Sequence, residues 1–419
     1  MKYKIILALI LVFYLAPSRA VELLIPMDET QHDHLKSYGI AYWVLKQGME
    51  VKWLLNYRGG SFLMQQTPAI ENECVVRGVS YESLADAQAN AILNEIAQPD
   101  VNEDAVSLNK APKIAVYSPP NKQPWDDAVT LVLTYAEIDY DVVYDEEILD
   151  GKLSQYDWLH LHHEDFTGQF GKFWNTYRDY PWYQNDVKIN KDLATRLGFA
   201  KVSEMKSAVV QKIKDYVMNG GFLFAMCAAC DTYDIALAAQ GVDICASMYD
   251  GDPADPDMNK KLDYSKTLAF TNFKLVTDPL EYEFSNIDVT YTRNVRPEND
   301  FFTLFEFSAK WDPVPTMLTQ DHERIIKGFL GQTTAFNEDL IKPDVLIMGE
   351  NKAAHEARYI HGELGKGFFT FYGGHDPEDY KHLVGDPPTD LSLHPNSPGY
   401  RLILNNVLFP AAKKKKRKT

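Results

Sequence analysis

Apolar residues along this chain fall into two periods. A period near 3.6 marks Leu35, Tyr38, Ala41, Val44 and Leu45, and predicts a helix over 31–48 closed by Gly48. The same period predicts helices carrying Trp125, Ala128, Val129, Val132, Tyr135 and Ala136, and Met205, Val209, Ile213, Tyr216 and Val217. Gly220 and Gly221 end the latter. Short apolar runs between them predict strands: "VELLIPM", "EVKWLLNY", "KIAVYS", "YDVVYD" and "YDWLHLHH". "FLFAMC" has no polar alternation, as expected of a central parallel strand covered on both faces. "DVLIMGE", "ARYIHGE" and "GFFTFYGGHDPEDY" read as the closing strands.

Strand, helix and strand within the first 60 residues after the leader are the pattern of parallel α/β units. Residues 68–111 read as a polar connection with one helix near 84–96, and 169–191 as a surface excursion. The stretch 242–342 is rich in aromatics and β-like runs, among them "YEFSNIDVTYT" and "FFTLFEFSAKW". It reads as an insertion, either a lid or substrate wall over Cys227 or an accessory β subdomain used for contacts. The expected organisation is a leader over 1–20, one α/β domain over 21–412 carrying the insertion 242–342, and a basic tail over 413–419.

The leader "MKYKIILALILVFYLAPSRA" has Lys2 and Lys4, a short apolar core and small residues at its end. That is the make-up of a cleaved export signal, so the protein is expected to be periplasmic or secreted, with no membrane span after cleavage. Net charge is −17 over 419 residues, and without the six basic residues of 413–418 it is six units more negative, −23. Such an acidic body argues against nucleic acid as the main partner, and the expected partner is a small-molecule substrate or ligand. Four cysteines are too few for a disulfide scaffold, although an exported chain can form one or two bridges.

Cys227 stands where the strand "FLFAMC" hands over to a helix. A sharp turn there lifts a side chain out at the carboxyl edge of a sheet, where doubly wound folds bind ligands. Three readings stay open for it: a nucleophile with a thiol pKa depressed by the helix N-terminus, half of a Cys227–Cys230 redox pair, or core. In the first, the Ala228 N–H is a candidate oxyanion donor. "HLHHEDF" places His162, His163, Glu164 and Asp165 just past another strand end, where they can line a substrate pocket. No cofactor is required, but His162, His163 and Glu164 could hold a divalent metal. The aspartates of "YDGDPADPD" miss the regular calcium-loop spacing and read as a solvated acidic loop. Arg58, Gly59 and Gly60 could cradle an anion or form a plain turn.

The stretch "AMCAA" between strand and helix resembles the nucleophile elbow of class I glutamine amidotransferases, Gly-x-Cys-x-Gly. "GKGFFTFYGGHDPEDY" and "YDWLHLHHEDF" are similar to further strands of that superfamily, closest to its trehalose-utilisation (ThuA-like) branch. Relatives could carry an asparagine synthetase B label on the same likeness. The resemblance covers about 113–241 and 343–380. It implies a flavodoxin-like, doubly wound, mostly parallel sheet. It also implies a Cys–His–acid site, with Cys227 as nucleophile, His375 as base and Glu378, or else Asp376, as the orienting acid. The chain departs from the pattern: both elbow glycines are Ala225 and Ala229, and one extra residue separates His375 from Glu378. The implied function is a cysteine-dependent hydrolase or amidotransferase acting on a C–N or similar acyl bond. The alternative is an inactive relative that binds carbohydrate or another small ligand.

Overall fold

The computed structural model describes residues 21–293, 295–312 and 323–412. The leader and the basic tail lie outside them. Fifteen strands, β1 to β15, occur among the described residues. The first five are β1 (Val21–Ile25), β2 (Val51–Leu55), β3 (Ser61–Gln65), β4 (Glu82–Ala85) and β5 (Asp104–Leu108). They form their own sheet in the order β4-β1-β3-β2-β5, antiparallel throughout.

The amino-terminal segment therefore departs from the parallel expectation. The helix His34–Lys46 joins β1 to β2, but these strands do not pair. β3 lies between them, antiparallel to both. Periodicity locates the elements but cannot say which strand fills the gap. The connection 68–111 also holds more than one helix: Pro68–Arg77, Asp86–Ile96 and two strands.

The second sheet contains β6 (Ile114–Tyr117), β7 (Asp141–Val143), β8 (Trp158–Leu161), β9 (Phe222–Met226), β10 (Phe301–Leu304) and β11 (Ile325–Lys327). It is completed by β12 (Phe336–Asn337), β13 (Leu346–Asn351), β14 (Glu356–Leu364) and β15 (Gly367–Tyr372). Its order is β11-β10-β13-β14-β15-β9-β8-β6-β7, with β12 on β14. The run β15-β9-β8-β6-β7 is parallel, and everything beyond β15 is antiparallel. The fold is thus α/β with a large mixed sheet.

β9 is central, and all five of its residues are buried. Phe222, Phe224 and Met226 face one core with Val116, Tyr372 and the helix Pro398–Leu408. Leu223 and Ala225 face the other, against Met205, Val209 and Ile213 of the helix Val202–Met218. Burial on both faces is why the run shows no alternation. The first core also takes in Trp53, Phe62 and Tyr38, so helices lie sandwiched between the two sheets.

The excursion 169–191 is more ordered than its sequence suggests, since Pro181 starts a helix reaching Arg196. The insertion is less β-rich than expected. Of "FFTLFEFSAKW" only Phe301–Leu304 is a strand, and "YEFSNIDVTYT" forms isolated bridges alone. β10 and β11 extend the main sheet instead of forming a subdomain. Among the described residues, no helix is long and apolar enough to cross a membrane.

Candidate functional site

Four parallel strands deliver polar side chains at their carboxyl ends. After β6 come Asp126 and Asp127; after β8, His162 and His163; after β9, Cys227; after β15, His375 and Asp376.

Cys227 has φ +54°, in the left-handed region that a residue with a Cβ rarely occupies. The chain turns there from β9 into the helix Ala229–Ala238. Its N–H donates to the Gly374 carbonyl at 3.1 Å, which ties the elbow to the end of β15. Its Sγ accepts the Gln332 N–H at 3.2 Å, and the N–H groups of Thr333 and Ala228 also face it. Gln332 and Thr333 belong to the 242–342 insertion, which therefore does wall the thiol. That approach requires glycine at the end of β15, because a Cβ on Gly373 would stand 1.9 Å from the Thr334 carbonyl oxygen.

The thiol differs from expectation in two respects. It is buried, at 2% exposure, rather than partly open. Burial also pushes its pKa up to about 11, although the three N–H groups pull the other way. The helix N-terminus does not overcome desolvation of the thiolate here. Cys230 points elsewhere, its Sγ 3.4 Å from the Ala225 carbonyl. Cys74, Cys227, Cys230 and Cys245 are all free thiols.

His375 is buried, and its partners are not the predicted acids. Nε2 lies 3.4 Å from Oδ1 of Asp126. Glu378 instead pairs with His394 at 3.1 Å, and Asp376 Oδ1 accepts the Glu378 N–H at 2.9 Å. The sequence-adjacent carboxylates face other partners, so a carboxylate from the β6 edge fills the orienting position. The His375 ring stacks among His162, His163 and His382, with centroid separations of 4.9, 4.2 and 4.3 Å.

Asp127 serves two purposes. Oδ1 caps the helix Ala128–Tyr135 by accepting the Thr130 N–H at 2.8 Å. Oδ2 lies 3.1 Å from His160 Nε2 and 3.0 Å from His162 Nδ1. Burial pushes this carboxyl up, but the two imidazoles outweigh it and hold it well below the usual range. Burial drives the His163 and His375 imidazoles well below theirs, so both are neutral at pH 7.

Glu164 and Asp165 turn away from the histidines. Glu164 faces Lys206 at 3.9 Å, and burial raises its pKa to about 8. Asp165 accepts the N–H groups of Thr167 and Gly171 at 2.7 and 3.0 Å. The expected triplet of metal ligands therefore changes its third member: the group with His162 and His163 is His375, not Glu164. Arg58, Gly59 and Gly60 lie on the first sheet as a structural turn. Arg58 is committed to Asp28 and Glu82 at 2.6 and 2.8 Å, and Gly60 O accepts the Trp53 indole N–H. The acidic loop is neutralised by lysines, with Asp250 3.0 Å from Lys201 and Asp255 3.2 Å from Lys261.

Sequence reasoning missed Asp126, Asp127 and His382. The available signal was "DD" directly before a helix and after a strand, which reads as a cap and nothing more.

No family model matches the chain, and no curated protein matches it. Among solved structures, two cytoplasmic proteins of Salmonella typhimurium align with 72% of this chain and 100% of their own. Their identities are 12% and 13%, with TM-scores of 0.34 and 0.35. A beta-galactosidase from Bacillus circulans sp. alkalophilus aligns with 63% of this chain and 29% of its own, at 10% identity and a TM-score of 0.28. Likenesses this loose carry no argument about activity.

Proposed function

We propose that the chain is an exported hydrolase of flavodoxin-like, class I amidotransferase-like design, with Cys227 as nucleophile on a C–N or similar acyl bond. The parallel run supports the fold part. In chain order its strands stand second, first, third, fourth, fifth, the order of flavodoxin-like sheets, which bind ligands where the order reverses. The observation that carries the chemical part is the left-handed Cys227 backbone, with Gln332, Thr333 and Ala228 N–H groups converging on its sulfur. Deprotonated sulfur would attack the carbonyl carbon, and the N–H groups would stabilise the oxyanion. The C–N bond then breaks, the amine leaves with a proton, and water hydrolyses the thioester to the acid and free thiol. His375 is oriented by Asp126 through Nε2, which leaves Nδ1 as its free nitrogen for the proton.

Iodoacetamide labelling of native protein from pH 7 to 10, mapped by mass spectrometry, tests this. Cys227 has the least elevated thiol, at about 11, against about 12 for Cys74 and higher still for Cys230 and Cys245. It should therefore label first, with a rate rising throughout the range. Labelling no faster than that of Cys74 would remove the nucleophile. The second reading, a binding protein without catalysis, then takes over; the burial of the thiol favours it.

A further inference from the structure

We propose that His162, His163 and His375 form a site for a divalent transition metal of the zinc class, backed by Asp126, Asp127 and His382. One ring nitrogen of each of the three histidines lies within 4.8 Å of those of the other two. Each ring also has its other nitrogen beside an oxygen, hydrogen-bonded in His163 and His375 and in ion-pair contact in His162. His162 Nδ1 is 3.0 Å from Asp127 Oδ2, His163 Nε2 is 3.2 Å from the Asp126 carbonyl, and His375 Nε2 is 3.4 Å from Asp126 Oδ1. The nitrogens left over are His162 Nε2, His163 Nδ1 and His375 Nδ1. Metal-bound histidines characteristically hold an oxygen through the second nitrogen, which fixes the tautomer and the ring.

A second observation points to a ligand. His162 is 2% exposed, and neither ring nitrogen has a hydrogen-bond partner, Nδ1 having only the Asp127 contact. A buried polar atom without a partner is costly, and an ion would supply one. His382 stands behind the site, with Nδ1 hydrogen-bonded to Asp379 at 3.0 Å and Nε2 3.0 Å from Asp126. Three imidazoles, with no fourth protein ligand grouped with them among the described residues, are the donor set of an open zinc centre. A cavity of about 40 Å³ reaches His163 and is bounded by Trp125, Glu164 and Lys206, which is room for water. Zinc–nitrogen bonds of about 2.0 Å place donor nitrogens about 3.3 Å apart, so the rings would close in on the ion by at most about 1.5 Å. Another cluster, Asp243, Cys245 and Asp250, is a poor rival because Lys201 already neutralises it.

The site competes with the thiol reading for His375 Nδ1, since a nitrogen bound to metal cannot take the thiol proton, and the test separates the two. The purified full chain is stripped with EDTA and titrated with Co²⁺, reading the visible absorption of tetrahedral cobalt, and separately loaded with Zn²⁺ for metal content. One equivalent is expected. His163→Gln and His375→Gln should each weaken it more than tenfold, and Asp126→Asn by about 10–100-fold. Cys227→Ser and Asp250→Asn should leave it unchanged. Circular dichroism of the stripped variants controls for folding, and Asp126→Asn serves if a histidine variant does not fold. No tetrahedral cobalt spectrum, or one that persists in these variants, overturns the proposal. Metal binding without Cys227 labelling would sink the thiol alone, and labelling without metal binding would sink this site alone.

Discussion

Replacing Lys206 by Met should destabilise the protein by about 3–5 kcal/mol, the usual cost of breaking a buried ion pair from one side. Lys206 and Asp145 are both buried, with Nζ 2.9 Å from Oδ2. Nζ also donates to the Tyr117 and Tyr144 hydroxyls at 2.8 and 3.2 Å, and Tyr117 OH donates to Asp145. Burial pushes the ammonium down, but the Asp145 and Glu164 carboxylates more than offset it and hold it above its ordinary range. A group raised in this way stabilises fully below its unfolded pKa of about 10.4 and loses that stabilisation as pH rises through the folded value. At pH 7 the pairing of Lys206 with Asp145 is therefore complete, whereas Glu164, raised to about 8, adds its charge only at higher pH. Methionine nearly matches lysine in volume, so the packing loss is small and the cost comes from the stranded Asp145 carboxylate. The double variant Lys206→Met/Asp145→Asn removes that charge as well and should recover at least half of the loss. Urea denaturation at pH 7, followed by tryptophan fluorescence and circular dichroism, measures both. A single-variant cost below about 1 kcal/mol, or a double variant no better than the single, would refute the buried-pair account.

Asp127→Asn keeps a helix cap of equal quality and should cost less than Asp127→Ala, which also loses about 1 kcal/mol of capping; urea midpoints of the two variants decide it. Glu164 is raised by burial to about 8, so the folded state holds a proton that the unfolded chain, with a pKa of about 4.3, releases. Stability should then fall as pH rises from about 4.3 to about 8, and Glu164→Gln should flatten that slope in melting temperature against pH. Gly373→Ala puts a methyl group against the Thr334 carbonyl and should cost at least about 2 kcal/mol as overpacking. Because Gln332 moves with that segment, native Cys227 should also alkylate faster in this variant.

Local sequence determined where the chemistry stands along the chain. The apolar run Phe222–Met226 followed by small residues reads as a central strand entering a tight turn, so Cys227 at an elbow was legible. The histidines of "HLHH" and "GGHD" were legible as strand-end residues in the same way, and the helices His34–Lys46 and Val202–Met218 follow their apolar period. Tertiary structure alone decided which groups meet. Asp126 reaches His375 across 249 residues of chain, because β6 and β15 run parallel in one sheet and end at one edge. The nearby Glu378 could be taken from sequence as the partner of His375, but His394 claims it. The antiparallel pairing of β1 and β2 with β3 was equally hidden, since alternation fixes which face a side chain takes and not which strand lies beside it. The protonation of Cys227 belongs to the fold as well: a helix N-terminus is visible in sequence, but the desolvation that outweighs it arises only when the folded chain buries the sulfur.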